Sequence, residues 1–272
     1  AQTYTGTITA VNENGLITNA NTSGKLTFSG AVGTDAARIK EVSLLDNTDT
    51  TFQSSVFALT LDIDTAAADD ITTFTAGNLI GNDTGGNGGA LTIVGGTIVL
   101  DTAVVGATTV FGATEVTNGA NGVVLGSAIV IQPSANFTSG TVTFIDGTGT
   151  QAHMTTTEQG YLSVTDTALT DFSLTTGITD VTITAAFKSG STTGAELGVT
   201  TNQGTAIQQL MDAATAGDTT LMNTLNESLT GLNSGVLSTT TDLAKQASPQ
   251  TDTIGGSAVA TRAMTGTVQG II

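Results

Sequence analysis

Ala90-Leu-Thr-Ile-Val94, Gly95-Gly96 and Thr97-Ile-Val-Leu100 stand in immediate succession, followed by Val123-Val-Leu-Gly-Ser-Ala-Ile-Val-Ile131 and Thr141-Val-Thr-Phe-Ile145. The whole stretch, Gly89 to Asp146, is built of short β-branched runs punctuated by Gly, Asn and Asp. Branched side chains fit a pleated surface, where their stiff χ1 angles cost little. Gly and Asn tolerate positive φ and so suit the tight turns between such runs.

Working outward, the same design recurs. Lys25-Leu-Thr-Phe-Ser29, Ile39 to Leu45, Ser55 to Ile63 and Thr179 to Phe187 read as further strands. A Gly-x-Leu-Thr-Phe motif at residues 24–28 is echoed at Gly89-Ala-Leu-Thr-Ile93 and Gly140-Thr-Val-Thr-Phe-Ile145. Imperfect recurrence with variable loops is the signature of a solenoid, in which insertions fall at the corners. The expected fold is therefore mainly β: a right-handed parallel β-helix or solenoid-like body with a C-terminal α-helical cap. Rungs of about 20–25 residues would place roughly eight of them between Thr3 and Lys188. At about 4.8 Å per rung the body would be roughly 40 Å long. Asn12 to Gly24 reads as turn, with Asn14-Gly15 as its signal.

Composition narrows the classes. Of 272 residues, 39% are hydrophobic, only 11% charged and 4% aromatic, with no Trp. So few rings predict a thin core of stacked Val, Ile, Leu, Ala and Thr, which favours a solenoid. The net charge is −17, and Lys25, Arg38, Lys40, Lys188, Lys245 and Arg262 are the only basic residues. Phosphate binding needs clustered Lys and Arg, so nucleic acid is disfavoured, as are anionic membrane surfaces; divalent cations suit the charge. Cysteine is absent, which removes disulfides, thiol catalysis and Cys metal sites. No apolar run reaches the roughly 18 residues of a membrane helix, so no membrane insertion is expected of this portion. Ala1-Gln2 resembles the mature end left by signal-peptide removal, and the expected location is extracellular or on a bacterial cell surface.

Candidate sites are sparse. Asp62, Asp64, Asp69 and Asp70 cluster; they fit either a Ca²⁺ site, which needs several hard oxygen ligands, or a solvated acidic loop. No other cofactor is expected. Gly85-Gly-Asn-Gly-Gly-Ala90 approaches the calcium-binding nonapeptide, but Ala90 stands where the liganding Asp belongs, so it reads as a turn. His153 is the only histidine, and no Gly-x-Ser-x-Gly elbow accompanies it. Asp166 and Asp171 could mimic the carboxylate pair of a glycosidase, yet the aromatic platforms of carbohydrate sites are missing. No catalytic residue is assigned, and the chain is not expected to be an enzyme.

The two ends carry the remaining signals. Thr3 to Ala10 alternates strictly, with Tyr4, Gly6, Ile8 and Ala10 on one face; it predicts a half-buried strand, either the first rung or a strand that pairs with a neighbouring subunit. Residues 1–188 form the predicted body and 189–204 a Gly/Ser/Thr linker. Residues 205–272 form a helical segment: Ile207, Leu210, Met211 and Ala214, then Leu221, Met222, Leu225 and Leu229, then Val236, Leu243 and Ala244 recur at helical spacing. Val259, Met264, Val268 and Ile271 make a last apolar stripe. Tyr4 and Ile8 at one end, and that stripe at the other, are the candidate subunit contacts.

Leu243-Ala-Lys-Gln-Ala-Ser-Pro-Gln250 followed by Gly255-Gly-Ser-Ala-Val-Ala260 resembles the passenger-to-barrel junction of type V secretion autotransporters, including the rickettsial surface antigens. There a Leu-x-x-Leu-Ser-Pro segment and an Ala-rich helix precede a translocator barrel; here Ala247 replaces the Leu before Ser-Pro. The resemblance implies a secreted passenger whose partner is the outer-membrane barrel of its own precursor, and it carries over no catalytic residue. The expected function is a bacterial surface structural protein that assembles with itself into a filament, sheath or surface layer. The alternative is a monomeric adhesin that uses loops such as Asn82 to Gly89 and Gly147 to Gln159.

Overall fold

The computed structural model describes residues 1–20, 24–34, 36–45, 49–64, 70–75, 90–101, 109–111, 123–133, 137, 139–146, 154–167, 170–178, 180–196, 205, 208, 209 and 212. The chain divides into two compact units. One comprises Ala1–Thr165 and Phe172–Ala185, the other Asp166–Asp171 and Ala186–Ile272.

The fold is mainly β, with parallel sheets and few helices. Strands β1 (Gln2–Tyr4), β2 (Leu16–Asn19), β3 (Lys25–Phe28), β4 (Ile39–Leu44), β5 (Asp49–Phe52), β6 (Ala58–Ile63), β7 (Ile71–Phe74), β8 (Ala90–Ile93) and β9 (Gly96–Leu100) alternate between two sheets. They are followed by β10 (Thr109–Phe111), β11 (Val123–Leu125), β12 (Ile129–Pro133), β13 (Gly140–Ile145), helix α1 (Thr156–Gln159), β14 (Leu162–Val164), β15 (Thr170–Thr176), β16 (Val181–Phe187) and helix α2 (Gly190–Glu196). One sheet has seven strands in the order β1-β3-β5-β7-β9-β12-β14, and a second has five in the order β11-β8-β6-β4-β2. Every pairing in these two sheets is parallel. The third sheet, β10-β13-β16-β15, pairs β10 with β13 in parallel but β13 with β16 antiparallel.

Neighbouring strands of each large sheet are thus separated in sequence by at least one strand of another sheet. Gln2 faces Leu26 and Lys25 faces Asp49, each 24 positions on; Gly96 faces Ile129 and Ile129 faces Leu162, each 33 positions on. Between the sheets runs a one-residue parallel ladder, Ile8–Val32–Val56. Ala31 and Ser55 carbonyls accept from Ile8 and Val32 N–H at 2.9 and 3.0 Å. The chain turns from one sheet to the other at Gly96, whose φ of 84° is left-handed and natural for glycine.

The constant register stacks like on like. In the five-stranded sheet, Val42, Leu61 and Leu91 form one inward column, and Leu44, Ile63, Ile93 and Leu125 another. In the seven-stranded sheet Leu26, Thr50, Thr72, Ile98 and Ile131 form one, and Phe28, Phe52, Phe74 and Leu100 the next. Tyr4, Phe28, Phe52 and Phe74 stack nearly parallel at centroid separations of 5.7, 5.2 and 5.4 Å. Phe111 and Phe144 continue the series edge-on at 5.4 and 5.1 Å. The thin aliphatic core expected from composition is thereby corrected. Five of the nine phenylalanines sit in one aromatic column: strand register aligns Phe28, Phe52 and Phe74, and Phe111 and Phe144 join them from the third sheet.

Further expectations are corrected. The alternating strand from Thr3 to Ala10 is only β1, three exposed residues, with a single bridge at Ile8. The turn-rich stretch Asn12 to Gly24 contains strand β2. The run Val123–Ile131 breaks at Gly126 into β11 and β12, which belong to different sheets. The three Gly-x-Leu-Thr-Phe echoes likewise fall in three different sheets, as β3, β8 and β13. In the second unit, the stretch read as a linker, 189–204, opens in helix α2, and residues 205, 208, 209 and 212 are helical. The rest of the predicted helical segment lies outside the described residues.

Candidate functional site

Among the described strands, β1 and β2 stand at the ends of the two large sheets. β1 pairs on one side with β3, and β2 pairs on one side with β4; each ends its sheet. A strand at a sheet edge offers unpaired N–H and C=O groups to another chain. Both strands lie within residues 2–19. Tyr4 ends the aromatic column, half exposed at 50%, and Val11 and Leu16 are 82% and 62% exposed. Tyr4 and Ile8, predicted as subunit contacts, are therefore brought to the same end. Ile8 is half-buried on its ladder, where its carbonyl accepts from Gly33 N–H at 2.6 Å. Val259, Met264, Val268 and Ile271 lie outside the described residues.

Val11 and Leu16 were not singled out by the sequence, although an isolated apolar residue beside Asn-Gly was the available signal. Close packing of the turn on the next is set by glycine. A Cβ on Gly30 would run into the Gly6 carbonyl one circuit earlier.

The predicted acidic cluster is dispersed. Asp62 lies in β6 and Asp64 follows it, both with the five-stranded sheet; Asp70 is buried ahead of β7 in the seven-stranded sheet, and its carbonyl accepts from Thr97 N–H. Asp69 lies outside the described residues. Among the described residues no three His, Cys, Asp or Glu side chains gather as a metal-binding group.

What the register does assemble is a polar row, Thr18, Ser43, Asp62 and Thr92, with Glu41 and Asp64 flanking Asp62. Burial, and then the charges of Asp64 and Glu41, push the Asp62 carboxyl above the usual range. Its Oδ1 is buried without a hydrogen bond in the structure. A carboxyl with a raised folded pKa favours folding below its unfolded pKa, and that contribution is lost as pH rises through the folded value. Asp62→Asn should therefore raise the melting temperature at pH 7, by on the order of 2 °C. The gain should vanish as the solution is acidified through the carboxylate range. A pH-independent difference in melting curves would contradict this assignment.

Of the carboxylates considered for acid–base work, Asp171 is engaged elsewhere. Lys188, 4% exposed, holds Glu196 Oε2 at 2.6 Å and Asp171 Oδ1 at 3.6 Å. This is a charge pairing that lets a lysine be buried. His153 lies outside the described residues. No protein family, curated protein or solved structure matches this chain.

Proposed function

We propose that the chain is an extracellular structural protein of a bacterial surface, which assembles with copies of itself through the ends of a right-handed parallel β-helix. The alternation of strands between sheets, with each strand pairing to the next circuit, supports the helix. Right-handed crossover is the rule for parallel connections. The C-terminal resemblance to an autotransporter junction supports a secreted passenger.

The observation that carries the reading is the first turn: two sheet edges ending together, with an aromatic column running out at exposed Tyr4. Backbone groups and stacked rings that end abruptly are completed by another chain, not by a small ligand. The expected result is concentration-dependent association of the purified protein in sedimentation velocity, with ordered particles in electron micrographs. A single monomeric species at every concentration, with and without Ca²⁺, would overturn it.

A further inference from the structure

We propose that Lys188 and Asp171 condense into an intramolecular isopeptide cross-link, with Glu196 moving the protons. Such a bond forms within a single chain, whether or not copies associate.

Three groups of the second compact unit meet here. Lys188 is the only basic residue between Lys40 and Lys245, and its side chain is 4% exposed. It follows directly on β16, while Asp171 lies in β15, the neighbour of β16 in the third sheet, and Glu196 ends α2. Apart from these three, Asp180 is the only charged side chain from Thr170 to Glu196.

The distances assign the roles. Lys188 Nζ donates to Glu196 Oε2 at 2.6 Å, a charge-assisted hydrogen bond that suits a proton acceptor. Asp171 Oδ1 stands 3.6 Å from Nζ, too far for a hydrogen bond, so its carboxyl touches the amine without holding its proton. A lysine amine is a nucleophile once its proton is taken. A carboxylate in the last turn of a helix also faces the negative end of the helix dipole. Glu196 therefore gains its place from Lys188 and not from α2.

In the reaction Nζ bonds to Asp171 Cγ, and one Cγ–O bond breaks. Of the three ammonium protons one stays on the amide nitrogen. Glu196 passes the other two to the departing oxygen, which leaves as water. Nothing else is consumed. The reactants are already held in contact, which removes the entropic cost that condensation carries in solution. A buried ammonium, expensive to keep from water, becomes a neutral amide. The carboxylates of Asp171 and Glu196 reach solvent, which gives the released water an exit. Amides hydrolyse slowly at neutral pH, so the bond persists once made. At one end β15 and β16 are joined by the Gly177–Asp180 turn, where Gly177 N–H donates to the Asp180 carbonyl at 2.7 Å. The cross-link closes the other end, and in a chain without cysteine it does the work of a disulfide.

The purified protein, denatured and weighed intact, should fall about 18 Da below the mass of its sequence, the loss of one water. A succinimide at Asp146-Gly147 would lose the same mass, so trypsin under denaturing conditions reads the position. A free Lys188 gives peptides 41–188 and 189–245, whereas a cross-linked Lys188 is not cut and leaves 41–245 whole. Tandem mass spectrometry should join Lys188 to Asp171. Glu196→Gln, which leaves both reactants in place, should cut the cross-linked fraction by about tenfold or more, as expected for a lost proton-transfer group. Asp171→Ala should abolish the link with far-UV circular dichroism unchanged. Full sequence mass with complete cleavage after Lys188 would overturn the cross-link. So would a bond to Glu196 in place of Asp171, or an undiminished yield in Glu196→Gln. Each of these results leaves self-assembly standing, since sedimentation decides that separately.

Discussion

Phe52→Ala is expected to lower the unfolding free energy by about 4 kcal/mol, the range for removing a fully buried aromatic ring. Phe52 is completely buried and stacks on Phe28 at 5.2 Å and on Phe74 at 5.4 Å. Its removal opens a gap between two rings held in place by parallel ladders on both sides. The backbone cannot close that gap without shifting β5 against β3 and β7 together. With no Trp in the chain, urea unfolding is best followed by far-UV circular dichroism. Phe52→Leu, which keeps most of the apolar volume, should recover more than half of the loss. Equal loss for the two would show that volume does not set the stability of this column.

Gly33→Ala is expected to be nearly as damaging, roughly 3 kcal/mol, from left-handed strain together with overpacking. Gly33 has φ of 77°, and a Cβ there would overlap the Phe57 carbonyl oxygen of the following circuit. That carbonyl accepts the Ile39 N–H at 3.0 Å, so it cannot rotate away without losing a hydrogen bond. Gly6→Ala makes the control, because a Cβ there meets nothing within 4 Å. Thermal melts of the two variants should differ by several degrees; similar melts would remove Gly33 from the set of residues that fix the spacing between circuits.

Parts of this architecture are legible in the chain. β3, β4, β8, β9 and β13 follow apolar or β-branched runs bounded by Gly, Asn or Asp, and their limits are close to those the runs suggest. β5 is not legible in that way. Asp49-Thr-Thr-Phe52 has Thr50 on the inward face, buried and accepting a hydrogen bond from Asn19 Nδ2 at 2.9 Å. An inward Thr breaks the apolar alternation on which strand recognition depends. β2 was hidden for the same reason, since its inward Asn19 reads as a turn residue until Thr50 is brought opposite. The true repeat, a hydroxyl residue before an aromatic ring in Thr27-Phe28, Thr51-Phe52 and Thr73-Phe74, is shorter than the Gly-x-Leu-Thr-Phe motif and is the one that keeps a single sheet.

The candidate site divides similarly. Tyr4 and Ile8 are marked by alternation along the sequence, and the structure places both in the first turn. The four aspartates are close in sequence, yet Asp62 and Asp70 go to different sheets, because the chain changes sheet between them. Glu41 enters the neighbourhood of Asp62 only through the β4–β6 register, across about twenty residues of chain.

By itself, then, the sequence determined the β class, the low and acidic charge and the absence of thiol chemistry, because these depend on residue type and local spacing. Only the tertiary structure decided which runs share a sheet, that the phenylalanines form a column, and that β1 and β2 each stand last in a different sheet. Those outcomes depend on register between strands of one sheet. In the two large sheets register is set by contacts some 19 to 33 positions apart, a distance over which local propensity carries no information.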